Sequence, residues 1–404
     1  VWPLFGLLAE VWAETIVTPS VSTVGSYLSN IGFSSTTSGA SGGDFSVSVS
    51  PQVSVRHEGR LATGTVFAGV SATRFIRNPE FSFVSTNAGF NLTLDNLVKR
   101  LDQNLSLNIS DYVSYTPQQP SFLVPQSDQG PGGVDFRGIQ SARANTLTNG
   151  TTASAGYAIT PRISLIGGAT YSIVHFGTTL ATPAVGGFFN TTSYSANAGV
   201  RGTVSPSDSV SATYNYSKAD YGAVSASTAN ANFETNGGSL GWSHTFNQWL
   251  TGSASVNYSV VSTSNKGVYG GSATATYKVL STTFATLSYS RQVSPSYFVA
   301  AAPLISNVFV LSVTHSVSTR MTASTFATYA HNESTSSSLG GQGALFFEAY
   351  TAGGSLSYAL AKYVSATSSV NFNHNTQRLQ GSEAQFSFYT ITLGLSANWP
   401  YKWS

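Results

Sequence analysis

Apolar and polar residues alternate with a period of two along nearly the whole chain, which is the pattern of strands with one greasy and one polar face. In residues 45–55 the odd positions Phe45, Val47, Val49, Val53 and Val55 are apolar, and Ser46, Ser48, Ser50, Gln52 and Ser54 lie between them. Leu105, Leu107, Ile109 and Val113 alternate with Asn104, Ser106, Asn108 and Ser110. The same rhythm places Val210, Ala212, Tyr214 and Tyr216 against Ser211, Thr213, Asn215 and Ser217. Near the C-terminus Tyr389, Ile391, Leu393, Leu395, Ala397 and Trp399 alternate with Thr390, Thr392, Ser396 and Asn398.

Such runs predict strands at 15–28, 44–56, 60–76, 80–94, 101–115, 144–160, 162–176, 190–204 and 208–219. They continue at 230–246, 248–262, 266–279, 282–293, 304–317, 320–331, 343–360, 363–374 and 385–399. The count is about eighteen, with sixteen as the alternative, and an even number suits a closed antiparallel barrel. Short turns such as Thr160-Pro161-Arg162, Ser205-Pro206-Ser207-Asp208 and Phe246-Asn247-Gln248 carry the expected turn residues. Longer polar loops fall between them, at 178–187, 220–230, 262–266, 294–303, 332–343 and 375–384. One hairpin plus one loop makes a repeat of about forty residues; a propeller blade of that period needs four shorter strands. Residues 94–101 read as a short helical turn.

A soluble sandwich also alternates, but its polar face meets water and carries Lys, Glu and Asp. Here charged residues are only 8% of 404 and hydrophobic ones 41%, against about 25% charged in ordinary soluble domains. Small neutral side chains suit a crowded or water-filled interior, with the apolar face turned to lipid. Lipid offers the backbone no hydrogen bonds, so a spanning sheet must close. The fold class is therefore all-β, a transmembrane antiparallel up-and-down barrel with short periplasmic turns and longer external loops. Aromatics fix its depth: Tyr171, Tyr216, Tyr258, Tyr289, Tyr329 and Phe372 follow short turns at similar distances. Tyr157, Phe246, Tyr277, Tyr358 and Trp399 sit just before short turns or near the end. These two sets predict interfacial girdles.

A net charge of +2 gives no footprint for nucleic acid. The absence of cysteine excludes thiol catalysis and Cys-ligated metal centres. The six histidines, His57, His175, His244, His315, His331 and His374, lack ligand spacing. No metal and no cofactor are implied. Gly237-Gly238-Ser239-Leu240-Gly241 matches the nucleophile-elbow pattern, which needs a strand-to-helix turn, yet it lies inside an alternating strand. Residues 1–13 read as an apolar arm or residual signal segment, and 14–404 as one barrel.

The last alternating run, F-Y-T-I-T-L-G-L-S-A-N-W, resembles the aromatic-ended terminal strand of bacterial outer-membrane proteins. It departs from that pattern in that Pro400-Tyr401-Lys402-Trp403-Ser404 follows. Nearly the whole chain is similar to outer-membrane β-barrel porins. I-V-T-P-S-V-S at 16–22 also resembles barrels of exopolysaccharide and exosortase systems. The first resemblance implies a Gram-negative outer membrane, contact with its lipid, assembly machinery that reads the C-terminal strand, and a homo-oligomer as an option. The second implies export of a neutral polymer.

The expected function is passive diffusion of small polar solutes, not an enzymatic reaction. A sleeve around a cytochrome or a polysaccharide-export partner is the alternative, and a barrel esterase using Ser239 the next. The long connection 117–143 holds Asp128, Asp135, Arg137 and Arg143, charges expected at a constriction. Arg56, Arg201 and Lys278 are the expected lumen charges, too few for strong ion selectivity. The strand count places both termini on the periplasmic side.

Overall fold

The computed structural model describes residues 14–32, 42–118, 144–179, 190–222, 232–262, 266–294, 304–334, 346–379 and 382–403. Its strands are β1 (Glu14–Leu28), β2 (Asp44–Glu58), β3 (Thr63–Phe75), β4 (Phe83–Thr93), β5 (Leu105–Gln118) and β6 (Ala144–Thr160). Next come β7 (Ile163–Thr179), β8 (Thr191–Ser205), β9 (Asp208–Tyr221), β10 (Phe233–Thr245), β11 (Leu250–Val261) and β12 (Lys266–Leu280). The last are β13 (Thr283–Ser294), β14 (Leu304–Ser318), β15 (Met321–Ser334), β16 (Phe346–Ala361), β17 (Val364–Leu379), β18 (Ser382–Asn398) and β19 (Tyr401–Trp403).

From β1 to β18 each strand pairs antiparallel with the next in sequence, and β1 closes the ring. On one side β1 runs against β2, from Glu14↔Glu58 to Leu28↔Asp44. On the other it meets β18 from Ser20↔Asn398 to Leu28↔Thr390, then β19 from Thr15↔Trp403 to Val17↔Tyr401. Since β19 extends β18 past Trp399-Pro400 along the same partner, the barrel has eighteen staves. Closure gives every stave two partners and leaves no open edge.

Because the pleat has a period of two, the register assigns every side chain to a wall. Val47, Val70, Leu165, Leu240, Val256, Leu287, Leu311 and Leu393 point outward and are exposed. Most inward positions are Ser, Thr, Asn and Gly, and their hydroxyls join neighbouring strands. Ser50 donates to Ser71 across β2–β3 at 2.7 Å. Ser209 and Ser243, Ser324 and Ser355, and Ser365 and Ser396 each stand 2.7 Å apart. A paired hydroxyl satisfies itself beside its strand without bringing charge, so a dense ring of small polar groups can line a narrow space.

The strands run further than the alternation indicates at one end of the barrel. β15 continues to Ser334, β17 to Leu379, and β18 begins at Ser382, so most of the loops expected at 332–343 and 375–384 is ladder where it is described. Glu348↔Thr376↔Gln385 and Arg378↔Glu383 still pair there. The apolar rhythm stops because the wall leaves its greasy band, while backbone pairing continues. The helical turn expected at 94–101 is α1 (Asp95–Val98), and Asp95 Oδ1 accepts the Leu107 N–H at 3.0 Å.

Candidate functional site

The outer wall carries two rows of aromatic rings. Toward the long loops, Tyr27 lies 4.7 Å from Phe45 and 5.7 Å from Tyr389. Tyr171 meets Tyr194 at 5.2 Å, and Tyr258 meets Tyr269 at 4.9 Å. Tyr289, Phe309, Tyr329 and Tyr350 follow one another at 4.5, 6.4 and 4.9 Å. Tyr216 and Phe372 occupy outward positions of the same row. Toward the short turns stand Tyr157, Trp242, Phe246, Tyr277, Tyr358 and Trp399, all exposed. The row members Tyr194, Tyr269, Phe309, Tyr350 and Tyr389 escaped the sequence reading. Each lies on a descending strand opposite or beside an aromatic of the ascending one, a signal that needs the register.

Beyond the rows the outer face turns polar. Arg291 donates to Asn307 at 2.9 Å, His331 and Glu348 meet at 3.1 Å, and Arg378 and Glu383 at 2.7 Å. At the short-turn rim, Asp208 accepts from Ser205 at 2.6 Å and Trp242 at 3.1 Å, and meets His244 at 2.7 Å. Those hydrogen bonds, with Ser205 first, then His244 and Trp242, hold the Asp208 carboxyl down to about 2. All six histidines lie on this outer wall by register. Within the apolar band Asp111 is an exception. It faces outward opposite Phe90, and Thr151 at 2.5 Å and Asn149 at 3.2 Å satisfy its carboxylate.

The inner wall changes along the axis. Toward the long loops it carries an apolar cluster of Leu28, Phe75, Val308, Phe347, Phe386 and Phe388, all buried. Ser114, Thr148, Ser172 and Thr191 are buried at the same end. Toward the short turns the inward residues open: Ser154, Asn197, Arg201, Thr251 and Ser253 are exposed.

Arg56, Arg201 and Lys278 take inward positions by register. Arg56 pairs with Glu58 at 2.6 Å, and Lys402 with Glu14 at 2.6 Å, so this part of the mouth is charged in balanced pairs. Lys278 lies 5.7 Å from the Trp249 ring. Asp128, Asp135, Arg137 and Arg143, like residues 1–13, lie outside the described residues. Ser239 sits mid-strand in β10 and points inward, bonded to Thr213 at 2.5 Å and to the Asn215 amide at 3.3 Å. No sharp turn presents it, and its strand neighbour His244 faces the other way.

No family model matches the sequence, and no curated protein is significantly similar to it. Among solved structures, the ferric enterobactin receptor PfeA of Pseudomonas aeruginosa has a TM-score of 0.51 at 8% identity, covering 96% of this chain and 82% of that one. The Pseudomonas aeruginosa proteins OpdQ and OccK7 give TM-scores of 0.47 and 0.46, each at 11% identity. They cover 96% and 97% of this chain and 98% and 100% of theirs. The likeness to PfeA is one of barrel fold.

Proposed function

We propose that this chain is an outer-membrane channel for passive diffusion of small polar solutes, with its termini and short turns in the periplasm. One observation carries the reading: a closed barrel turns its apolar residues outward between two aromatic rows and its Ser, Thr and Asn residues inward. A soluble barrel would reverse that arrangement. The outer band can meet acyl chains because closure gives every stave a hydrogen-bonding ladder on both sides. The inner wall can meet water because its hydroxyls exchange hydrogen bonds with it freely.

Solute selection then follows from size and polarity, with a weak charge bias. The Arg56–Glu58 and Lys402–Glu14 pairs cancel their own charges, while Arg162, Arg201, Lys278, Arg320 and Lys362 at the same end have no ion-pair partner among the described residues and leave that mouth mildly basic. The bulky inward Phe347, Phe386 and Phe388 narrow the long-loop end. Diffusion needs no reacting group, and the inward Ser239 serves as one more wall hydroxyl. Purified protein in a planar bilayer gives discrete conductance steps, and proteoliposomes swell in small sugars. Folded protein that inserts, yet neither conducts nor admits sugar, contradicts this function.

A further inference from the structure

On the inner wall, from the short turns up to the level of Tyr194, β4 to β8 and α1 line a concavity of about 510 Å³. Its polar lining includes Asp95 on α1, Asn108 on β5, Ser154 on β6, and Ser195, Asn197 and Arg201 on β8. Glycine helps make the hollow: a Cβ on Gly168 would stand 3.3 Å from Asn197 Oδ1. Much of the inner wall elsewhere is closed by hydroxyl pairs such as Ser209–Ser243 and Ser365–Ser396. Here Ser154, Ser195, Asn197 and Arg201 are exposed, and among the described residues their side chains have no hydrogen-bond partner. Asp95 spends Oδ1 on the Leu107 N–H at 3.0 Å.

We propose that this hollow is a binding subsite for neutral polyhydroxylated solutes, namely small sugars and polyols. The proposal deepens the channel reading and rests on it for access from the periplasmic mouth. Each hydroxyl of such a solute donates and accepts, as do the Ser hydroxyls and the Asn197 amide that await it. A guanidinium can hold two adjacent hydroxyl oxygens at once through its fork of donors, and a carboxylate can accept from two adjacent hydroxyls. Arg201 and Asp95 bracket the hollow with opposite signs. An anion drawn to Arg201 therefore shares the space with Asp95, and a cation drawn to Asp95 shares it with Arg201. The neutral solute meets neither penalty. Among the described residues no aromatic ring lines the hollow, so recognition there is by hydroxyls, not by stacking.

Saturation-transfer NMR with D-glucose on the folded, detergent-solubilised barrel tests the subsite without requiring conduction. Saturable binding is expected, weakened about tenfold in both Asn197→Leu and Arg201→Met, since each loses hydrogen bonds worth about 1.4 kcal/mol. Ser369→Ala, on β17 of the far wall, binds as the parent does. Folding of every variant is checked by circular dichroism. Absence of saturable binding, or equal binding in all four proteins, overturns the proposal. Gluconate binding ten times more tightly than glucose overturns the neutral class. Planar-bilayer recordings on the same samples separate the two readings. A barrel that conducts without binding defeats only the subsite; one that binds without conducting defeats only the channel.

Discussion

Arginine substituted at Leu393 and at its neighbour Thr392 probes the two walls at one depth. Leu393 faces outward in β18 with 66% of its surface exposed, a value too high for a core residue and right for one bathed in acyl chains. It lies between Tyr389 of one aromatic row and Trp399 of the other, close to the midplane. Arginine facing lipid there costs about 2–4 kcal/mol, or roughly 30- to 1,000-fold in the folding equilibrium. Thr392 faces inward and meets Ser369 at 2.5 Å. Its replacement loses that hydroxyl pair, about 1 kcal/mol, while the new guanidinium reaches luminal water. Reversible urea unfolding from vesicles measures both. With m near 2 kcal/mol/M, Leu393→Arg lowers the midpoint by about 1–2 M, and Thr392→Arg by at most about 0.5 M. Equal shifts, or a larger one for Thr392→Arg, refute the assignment of walls.

Phe386→Ala and Phe388→Ala, which trim the inward cluster at the long-loop end, raise single-channel conductance; an unchanged value removes that end as the narrow point. Gly89→Ala places a Cβ 2.6 Å from the Asp111 carbonyl oxygen and 2.8 Å from the Phe67 ring. Overpacking of that kind costs about 1–3 kcal/mol, read as a lower urea midpoint. The Asp208 carboxyl sits near 2 in the fold and near 4 in the unfolded chain. Its stabilisation is therefore complete above about pH 4 and is lost as pH falls through about 2. Asp208→Asn flattens the stability profile across that window, and an unchanged slope contradicts the hydrogen-bond account. In a KCl gradient the reversal potential shows a modest anion preference, because Arg162, Arg201, Lys278, Arg320 and Lys362 at the short-turn mouth have no ion-pair partner among the described residues, and Arg201→Met moves it toward cation preference.

The staves were legible because each has a greasy side and a polar side, and one slip of register would reverse them. The eighteen runs read from sequence correspond one to one with β1–β18. Pro400 hid β19, since alternation breaks there while pairing along β1 resumes at Tyr401. The extended ends of β15 and β17 were hidden for a different reason. Outside the greasy band, polarity no longer tracks the pleat, so Asn375, Thr376 and Gln377 read as loop while forming ladder. Of the hollow beside α1 only the inward Arg201 was read. It is far along the chain from Asp95 and Asn108, and only the order β4 to β8 brings them to one wall. The apolar inner cluster was also missed, because Phe386 and Phe388 break the outward rhythm of β18 by standing on its even positions.

The chain has no cysteine, so single cysteines can test whether Ser and Thr line a conducting lumen. Ser253 and Ala254 are adjacent in β11, both exposed, and point to opposite walls. With a negatively charged, water-soluble methanethiosulfonate added during single-channel recording, Ser253→Cys reacts and its conductance steps down. Ala254→Cys, facing lipid, neither reacts nor changes. Modification of Ala254→Cys in place of Ser253→Cys, or modification of Ser253→Cys with no change in current, contradicts the claim that solutes cross through this wall of hydroxyls.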